Sequence, residues 1–506
     1  MQKEQPIEYS RLAPWIIAGL MLFVGILSIF VFSQQSLRLD EAQSLWQTSH
    51  TPTKILNIIA QDVHVPFYHF LLHFWTLFLG NSVESGRAFS LVFFLLAIPA
   101  MYFLGKRAFN TNIALFATFL LAISPFMNWY GNEIRMYSIF TLLTILSQYF
   151  FLGIFKEKDS ESWIGYFIVG LFGIFTHYFF WFVLLVQALF YLLYRDHFAK
   201  GSLKRFVFIA IVLALVFSPW VYYVKYLSTV ANQAPLLSIP TTVNVFNTFS
   251  QFLFGFQNDH LNTILVSLWP LTVLFGFLAL RENERVSPTT IYMLMSILIP
   301  IAAAFILSVT LRPVFVSRYL ILTIPSMYLF ISWIFSTYPV GLRKTLQAVL
   351  IFAMIAGLAV EIINPSAPVK ENYREAAEYL QIHAAPQDVI VLSAPFTIFP
   401  MEYYYRGSTE IQTLPIWERE KGGIPAFDEN ALPSQVTQIK AFHEKAWLLL
   451  SYDQGYEEKI RIYMDTNYER IDTKEFSKGL RLYTYRFRYD DSVFGVKTST
   501  QSIAIQ

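Results

Sequence analysis

The chain has 506 residues, of which 55% are hydrophobic and 14% charged, with a formal net charge of +2 and no cysteine. So apolar a composition excludes an ordinary soluble globular protein. The small net charge, with no basic stripe interleaved with aromatics, gives no basis for nucleic-acid binding, and the missing cysteine rules out disulfides, thiolate nucleophiles and cysteine-ligated metals.

What remains is a polytopic membrane protein. A helix needs about 20 apolar residues to cross about 30 Å of hydrocarbon. Stretches of that kind fall near 14–33, 88–105, 112–127, 136–155, 163–176, 179–194, 206–224, 262–280, 290–310, 319–337 and 345–363, about eleven in all. The first lacks a small-x-small cleavage site before Ser33-Gln34-Gln35-Ser36 and is expected to remain as an anchor. After it, Asp40-Glu41 open a polar stretch of about fifty residues. Within that stretch the apolar run Pro66 to Leu79 would reach only about 21 Å as a helix, so it is expected to lie at the membrane interface with Pro66 as its first residue.

With that run left out of the count, the basic loops Lys106-Arg107, Lys156/Lys158, Arg195 to Arg205, Arg281/Arg285 and Arg343-Lys344 all fall on one side, together with Lys3 and Arg11. The positive-inside rule makes that side cytoplasmic. An odd number of spans then sends the C-terminal segment to the opposite, extracytoplasmic face of the cell membrane. The connection Lys225 to Asn262 is expected to be a mobile outer loop.

Residues 1–365 thus form a transmembrane domain, and 366–490 have the composition of a small α/β domain outside the membrane. Tyr373, Ala376, Ala377 and Leu380 share one helical face, Asp388 to Leu392 and Trp447 to Leu450 read as buried strands, and Leu482, Thr484 and Arg486 alternate with Tyr483, Tyr485 and Phe487. The polar residues 491–506 are expected to be a disordered tail. No internal repeat or low-complexity tract is visible.

The same topology puts Asp40, Glu41, Asp62, His64, Glu133, Arg135, His177 and Arg318 on the outer side. Ionisable groups at membrane depth are costly and usually line a water-filled or functional cavity. Asp40-Glu41 read either as solvated loop acids or as a base, or metal-organising carboxylate, at the mouth of such a cavity. Asp62 and His64 precede the helix opened by Pro66, where an anion such as phosphate is favoured; a plain N-terminal capping segment is the competing reading. The spacing of His64 and His69 is not a diagnostic metal pattern. In Asn128-Trp129-Tyr130-Gly131-Asn132-Glu133-Ile134-Arg135-Met136-Tyr137 the turn is too short for a solvated loop, so Glu133 and Arg135 sit at the boundary, as a salt bridge or as part of a site. Arg318 suits bidentate binding of phosphate oxygens, although Arg312 and Arg318 could both snorkel to headgroups. His177, beside Tyr178, reads as a structural hydrogen bonder before a catalyst.

In this order of features the chain resembles the GT-C glycosyltransferases, in the branch that includes protein O-mannosyltransferases and the lipid A aminoarabinose transferase. The resemblance covers roughly residues 14 to 340. It rests on Asp40-Glu41 after the first span, Asp62-x-His64-x-Pro66-x-Tyr68, Asn132-Glu133-x-Arg135-Met136-Tyr137, His177-Tyr178 and Pro313-x-Phe315-Val316-x-Arg318-Tyr319. Val65 departs from it, standing where relatives often carry a second proline. The resemblance implies an all-α GT-C-like membrane domain with about 11 spans plus interfacial helices, and a hexosyl- or pentosyltransferase. Such an enzyme moves a sugar from a polyprenyl-phosphate donor to a lipid, glycan or protein acceptor at the outer face, with inversion. Asp40 matches the family's first-loop carboxylate, the base, and Glu133 its second acid. His64, Arg135 and Arg318 are then candidates for the donor phosphate, and Glu41, Asp62, Tyr68, His177, Tyr178 and Tyr319 for the cavity wall.

Some relatives need a divalent metal ion and others do not, and the spacing of histidines and acids here does not decide between them. Two other classes compete. A transporter or lipid flippase would use Asp40, Glu133 and Arg318 to hold a solute or coupling ion, but such proteins often show repeated halves and charges near the midplane. A non-catalytic receptor or scaffold would leave the polar cluster unexplained.

Overall fold

Among the described residues of the computed structural model, seven helices are long and apolar enough to cross a membrane, and a bent pair counted as one span makes an eighth. The structure describes residues 9–32, 35–62, 64–228, 237–257, 276–278, 286–363, 371–419, 424–451 and 454–487. The expected span 262–280 apart from 276–278, the domain boundary at 365/366 and the tail 491–506 lie outside them, as do 229–236 and 258–262 of the expected mobile loop 225–262. The rest of that connection is not a loop, since Thr242–Phe254 form a helix that buries Phe249, Phe252 and Leu253.

The chain divides into two units. One comprises Met1–Gln35 and Gln43–Lys370; the other comprises Glu371–Gln506 together with the short segment Ser36–Ala42.

In the first unit the helices are α1 (Tyr9–Leu27), α2 (Leu39–Thr48, whose first residues count with the second unit), α3 (Pro52–Ala60), α4 (Pro66–Leu79), α5 (Val83–Ala108), α6 (Thr111–Ile123) and α7 (Pro125–Gly131). They continue as α8 (Tyr137–Leu152), α9 (Ser162–Ile174), α10 (Phe180–Leu193), α11 (Ser202–Ser228), α12 (Thr242–Phe254), α13 (Pro288–Thr310), α14 (Ile324–Thr337) and α15 (Val340–Ile363).

Their ends follow from local chemistry. The Ser82 hydroxyl accepts the Ser85 N–H at 3.1 Å to start α5, with Glu84 in the first turn and Lys106 and Arg107 in the last, each sign matched to the helix dipole. Asn110 caps α6 by accepting from Asn112 and Ile113, both at 3.0 Å. Pro66 is the first residue of α4, as expected, because its missing N–H costs nothing there.

Two further expectations change. The span 112–127 is not straight. Ser124 ends α6 and caps α7, Pro125 cannot continue the helical hydrogen bonding, and the axes differ by 61°. Asn128 to Gly131 are therefore helical, and the turn before α8 is reduced to residues 132–136. In addition α9 and α10 have only 13 and 14 residues, or about 20 Å each, less than a full crossing.

The centre of the bundle is α8. Its apolar window is 83% buried, against 22% for α11 and for α15, so the latter two are peripheral. Phe208, Ile211 and Leu215 on α11 are exposed and read as lipid-facing. Cross-helix hydrogen bonds tie the centre together. Gln148 donates to Ser326 Oγ at 2.9 Å, and Gln187 to Ser147 Oγ at 2.9 Å and to Tyr292 at 3.3 Å. In a hydrocarbon setting each such bond is worth about 0.6–2 kcal/mol. Close approach of α5 and α6 needs Gly105, since a Cβ there would stand 2.7 Å from Ala114 Cα.

The second unit is an α/β domain. Its sheet consists of β1 (Val389–Ser393), β2 (Glu410–Thr413), β3 (Lys445–Leu450), β4 (Glu469–Ser477) and β5 (Leu480–Arg486), in the order β2-β1-β3-β5-β4. β1 is parallel to β2 and β3, and β5 is antiparallel to β3 and β4. Four helices accompany it: α16 (Tyr373–His383), α17 (Ile398–Tyr404), α18 (Leu432–Lys440) and α19 (Glu457–Asn467). Tyr373, Ala376, Ala377 and Leu380 are all buried on one face of α16, as the spacing predicts. Leu482 to Tyr485 are all buried, so both faces of β5 are covered there and its alternation does not divide core from solvent. Asp388 is not the first strand residue: its carboxylate accepts the Ala385 N–H and the Trp447 indole N–H, both at 3.0 Å, and closes the turn instead.

Candidate active site

In the membrane unit, polar side chains converge from α2, from the connection between α3 and α4, and from the turns before α8 and α10. The backbone of that connection is held first. The Phe67 N–H donates to the Phe175 carbonyl at 3.0 Å, the Tyr178 hydroxyl donates to the His64 carbonyl at 3.3 Å, and the Trp220 indole donates to the Tyr178 oxygen at 3.1 Å.

Arg135 stands at the middle. Its Nη2 lies 2.9 Å from His64 Nε2 and its Nη1 3.2 Å from Ser44 Oγ. A guanidinium only donates, so His64 Nε2 accepts, which puts the ring proton on Nδ1 and leaves the imidazole neutral. Asp62 Oδ2, 3.5 Å from the same Nε2, is therefore not paired with an imidazolium. It accepts instead from the amides of Gln43 and Gln47, both at 3.0 Å. With its amide so committed, Gln47 offers Oε1 to His69 Nε2 at 3.1 Å, and the Val65 carbonyl lies 3.3 Å from His69 Nδ1, so both ring nitrogens face acceptors. Burial, and after it the neighbouring His64 ring and the Arg135 guanidinium, hold His69 well below its ordinary pKa.

A second group adjoins the first. The His177 ring stacks on Phe140 at 4.7 Å with 15° between planes, and lies 5.2 Å from Tyr319. Its Nδ1 accepts the Phe179 N–H at 3.1 Å. Burial, and after it the guanidiniums of Arg135 and Arg318, lower its pKa from 6.5 to about 3. The Arg318 guanidinium lies 5.7 Å from the Tyr319 ring centre. Two permanent cations thus share a neighbourhood with the His64, His69 and His177 rings and with the Asp62 carboxylate, and their positive charge does not depend on pH. Glu133 is 1% exposed, and its carbonyl accepts the Arg135 N–H at 2.7 Å. Tyr68 is buried with its ring edge-on to His69 at 5.5 Å.

The structure therefore brings together Asp62, His64, Arg135, His177, Tyr178, Arg318 and Tyr319 of the expected set, with Tyr68 against His69. Asp40 and Glu41 open a helix, which displaces the solvated-loop reading of the pair, and they count with the C-terminal unit. Asp40 is half-buried. Glu41 is fully buried, and its Oε2 accepts the Arg38 N–H at 2.9 Å, the reach-back bond of a capping box. Sequence reasoning missed Gln43, Ser44 and Gln47. Their signal was a polar stripe at helical spacing running on from Asp40-Glu41. Among the described residues, no group of three or more His, Asp or Glu side chains converges to hold a metal ion.

Comparison with known proteins fits this geometry. Residues 63–223, which contain His64, Glu133, Arg135, His177 and Tyr178, match the family model of dolichyl-phosphate-mannose-protein mannosyltransferases. No curated protein matches in sequence. Among solved structures, ArnT from Cupriavidus metallidurans in the apo state superposes with a TM-score of 0.60 at 12% identity, over 94% of this chain and 98% of that one. The same protein bound to undecaprenyl phosphate gives 0.59 at 12% identity, over 95% and 98%. AglB from Archaeoglobus fulgidus, in complex with an inhibitory peptide and a dolichol-phosphate, gives 0.51 at 11% identity, over 94% and 74%. At these identities the likeness is one of fold. The chain is a multi-pass membrane protein whose fold is similar to that of ArnT, and its residues 63–223 match the model of the dolichyl-phosphate-mannose-protein mannosyltransferase family.

Proposed function

We propose that the chain transfers a sugar from a polyprenyl-phosphate donor to an acceptor hydroxyl at the outer face of the cytoplasmic membrane, with inversion at the anomeric carbon. The observation that carries this is the Arg135 cluster: a fixed cation bonded to a neutral His64 at 2.9 Å, with Arg318 close enough to bias the same His177. Such a cluster suits the phosphate of a lipid carrier whose tail stays in the bilayer. The solved ArnT and AglB structures with undecaprenyl phosphate and dolichol-phosphate support a donor of that class, and the Archaeoglobus fulgidus oligosaccharyltransferase tethered with an acceptor peptide supports a peptide acceptor.

In the proposed reaction the acceptor oxygen attacks the anomeric carbon as the bond from that carbon to the phosphate oxygen breaks. The electron pair leaves with the phosphate, and the acceptor proton passes to Asp40. One displacement inverts the centre. A positioned base contributes roughly 10²–10⁴-fold, and loss of one preorganised donor to the developing charge costs about 2.7–4 kcal/mol. Arg135 and Arg318 would supply that charge stabilisation, with Glu133 as a second acid. The transporter alternative expects charges near the midplane of repeated halves, whereas Arg135, His64 and Asp62 gather at helix ends and turns. The positive-inside count supports a cytoplasmic N-terminus and an extracytoplasmic C-terminal domain.

The test is turnover of a labelled sugar on a short-chain polyprenyl phosphate by purified protein, with membrane extract as acceptor. Label moving to an acceptor as free polyprenyl phosphate appears is the expected result. Uptake of intact donor into vesicles without bond cleavage would contradict it.

A further inference from the structure

The segment Ser36–Ala42 groups with the α/β domain rather than with the helices on either side of it in sequence. Leu37 is 0% exposed and precedes α2, so its backbone N–H has no helical acceptor and, being buried, must find another. The next restraints are local: the Arg38 N–H goes to the Glu41 carboxylate at 2.9 Å, and the Ala42 N–H to the Arg38 carbonyl at 3.0 Å. Leu37 instead donates to the hydroxyl of Tyr404, 367 positions later, at 2.9 Å.

Tyr404 is itself well anchored. It is the last residue of α17, whose Phe399 and Met401 are buried in the domain and which packs on α16. The Arg374 guanidinium of α16 lies 5.5 Å from its ring centre, and Tyr403 meets the ring edge-on at 5.1 Å. A tyrosine contacted by two neighbouring side chains and bonded to one backbone N–H restrains that backbone.

We propose that Tyr404 is a positioning residue for Asp40, and that the C-terminal domain thereby takes part in catalysis by fixing the backbone from which the carboxylate projects. Asp40 lies three residues beyond Leu37, as the second residue of α2. The proposal rests on Asp40 being the base, as above. A base misplaced by about 1 Å can lose about a hundredfold in rate, while the donor's phosphate site lies on other residues. Tyr404→Phe keeps the ring and removes only the acceptor oxygen. It should therefore lower kcat and leave the donor KM near its wild-type value.

The experiment measures kcat and donor KM for the full chain with a labelled sugar on a short-chain polyprenyl phosphate, in wild type, Tyr404→Phe and Asp40→Asn, together with amide exchange over 36–42. The expected result is a fall of about tenfold or more in kcat for Tyr404→Phe, an unchanged KM, and faster exchange confined to that segment. Wild-type kcat, or a change in KM alone, would overturn the positioning role. If Asp40→Asn is inactive in that case, the base assignment stands without it; if Asp40→Asn turns over normally, both fail. Should Tyr404→Phe not purify, the wild-type Leu37 amide decides: exchange as slow as in β1 supports the proposal, and exchange at an open-loop rate overturns it.

Discussion

Arg135 donates to His64 across 2.9 Å, and that one bond sets the protonation of the ring: the imidazole is an acceptor at Nε2 and cannot be a cation there. The pair acts as a unit, so its members should not contribute independently. Arg135→Gln should reduce transfer by about 10²–10³-fold and His64→Ala by less. The double variant should fall short of the product of the two, with a coupling of about 0.5–3 kcal/mol. A double-mutant cycle on kcat/KM measures this, and strict additivity would show that the bond has no part in turnover.

His177 makes a pH prediction. Its pKa is about 3 in the folded protein against 6.5 as the ordinary value, so between those values the unfolded chain binds the extra proton. Stability is then full above pH 6.5 and is lost as pH falls toward 3. His177→Phe, which retains a ring to stack on Phe140, should flatten the acid side of a Tm against pH curve. An acid limb identical to wild type would contradict the assignment.

In the α/β domain, Trp447→Phe removes the indole N–H that Asp388 accepts at 3.0 Å. Asp388 is 1% exposed, so losing a donor should cost about 1–3 kcal/mol. Thermal unfolding of the solubilised protein should register that loss, while transfer at low temperature stays near wild type. An unchanged melting temperature would mean the carboxylate finds another donor.

Much of this was legible in the chain because single residues carry strong local rules. Pro66 starts a helix, and Tyr373, Ala376, Ala377 and Leu380 face one way because 3.6 residues make a turn. Arg135, His64 and Arg318 stood out because charge at membrane depth needs a reason. The break at Ser124-Pro125 was hidden because hydropathy runs unbroken across it and does not record the 61° bend. Gln43, Ser44 and Gln47 were missed because neutral polar residues on a short helix look like surface. The Leu37 to Tyr404 bond joins residues 367 apart, and no local pattern announces a partner at that distance.

Sugar transfer from a short-chain polyprenyl-phosphate donor by wild type and by Asp40→Asn, with donor binding measured in parallel, tests the central claim most directly. The amide is close in size to the carboxylate but cannot take a proton. Transfer should fall by about 10²–10⁴-fold with donor affinity unchanged. Equal rates in the two proteins would contradict Asp40 as the base.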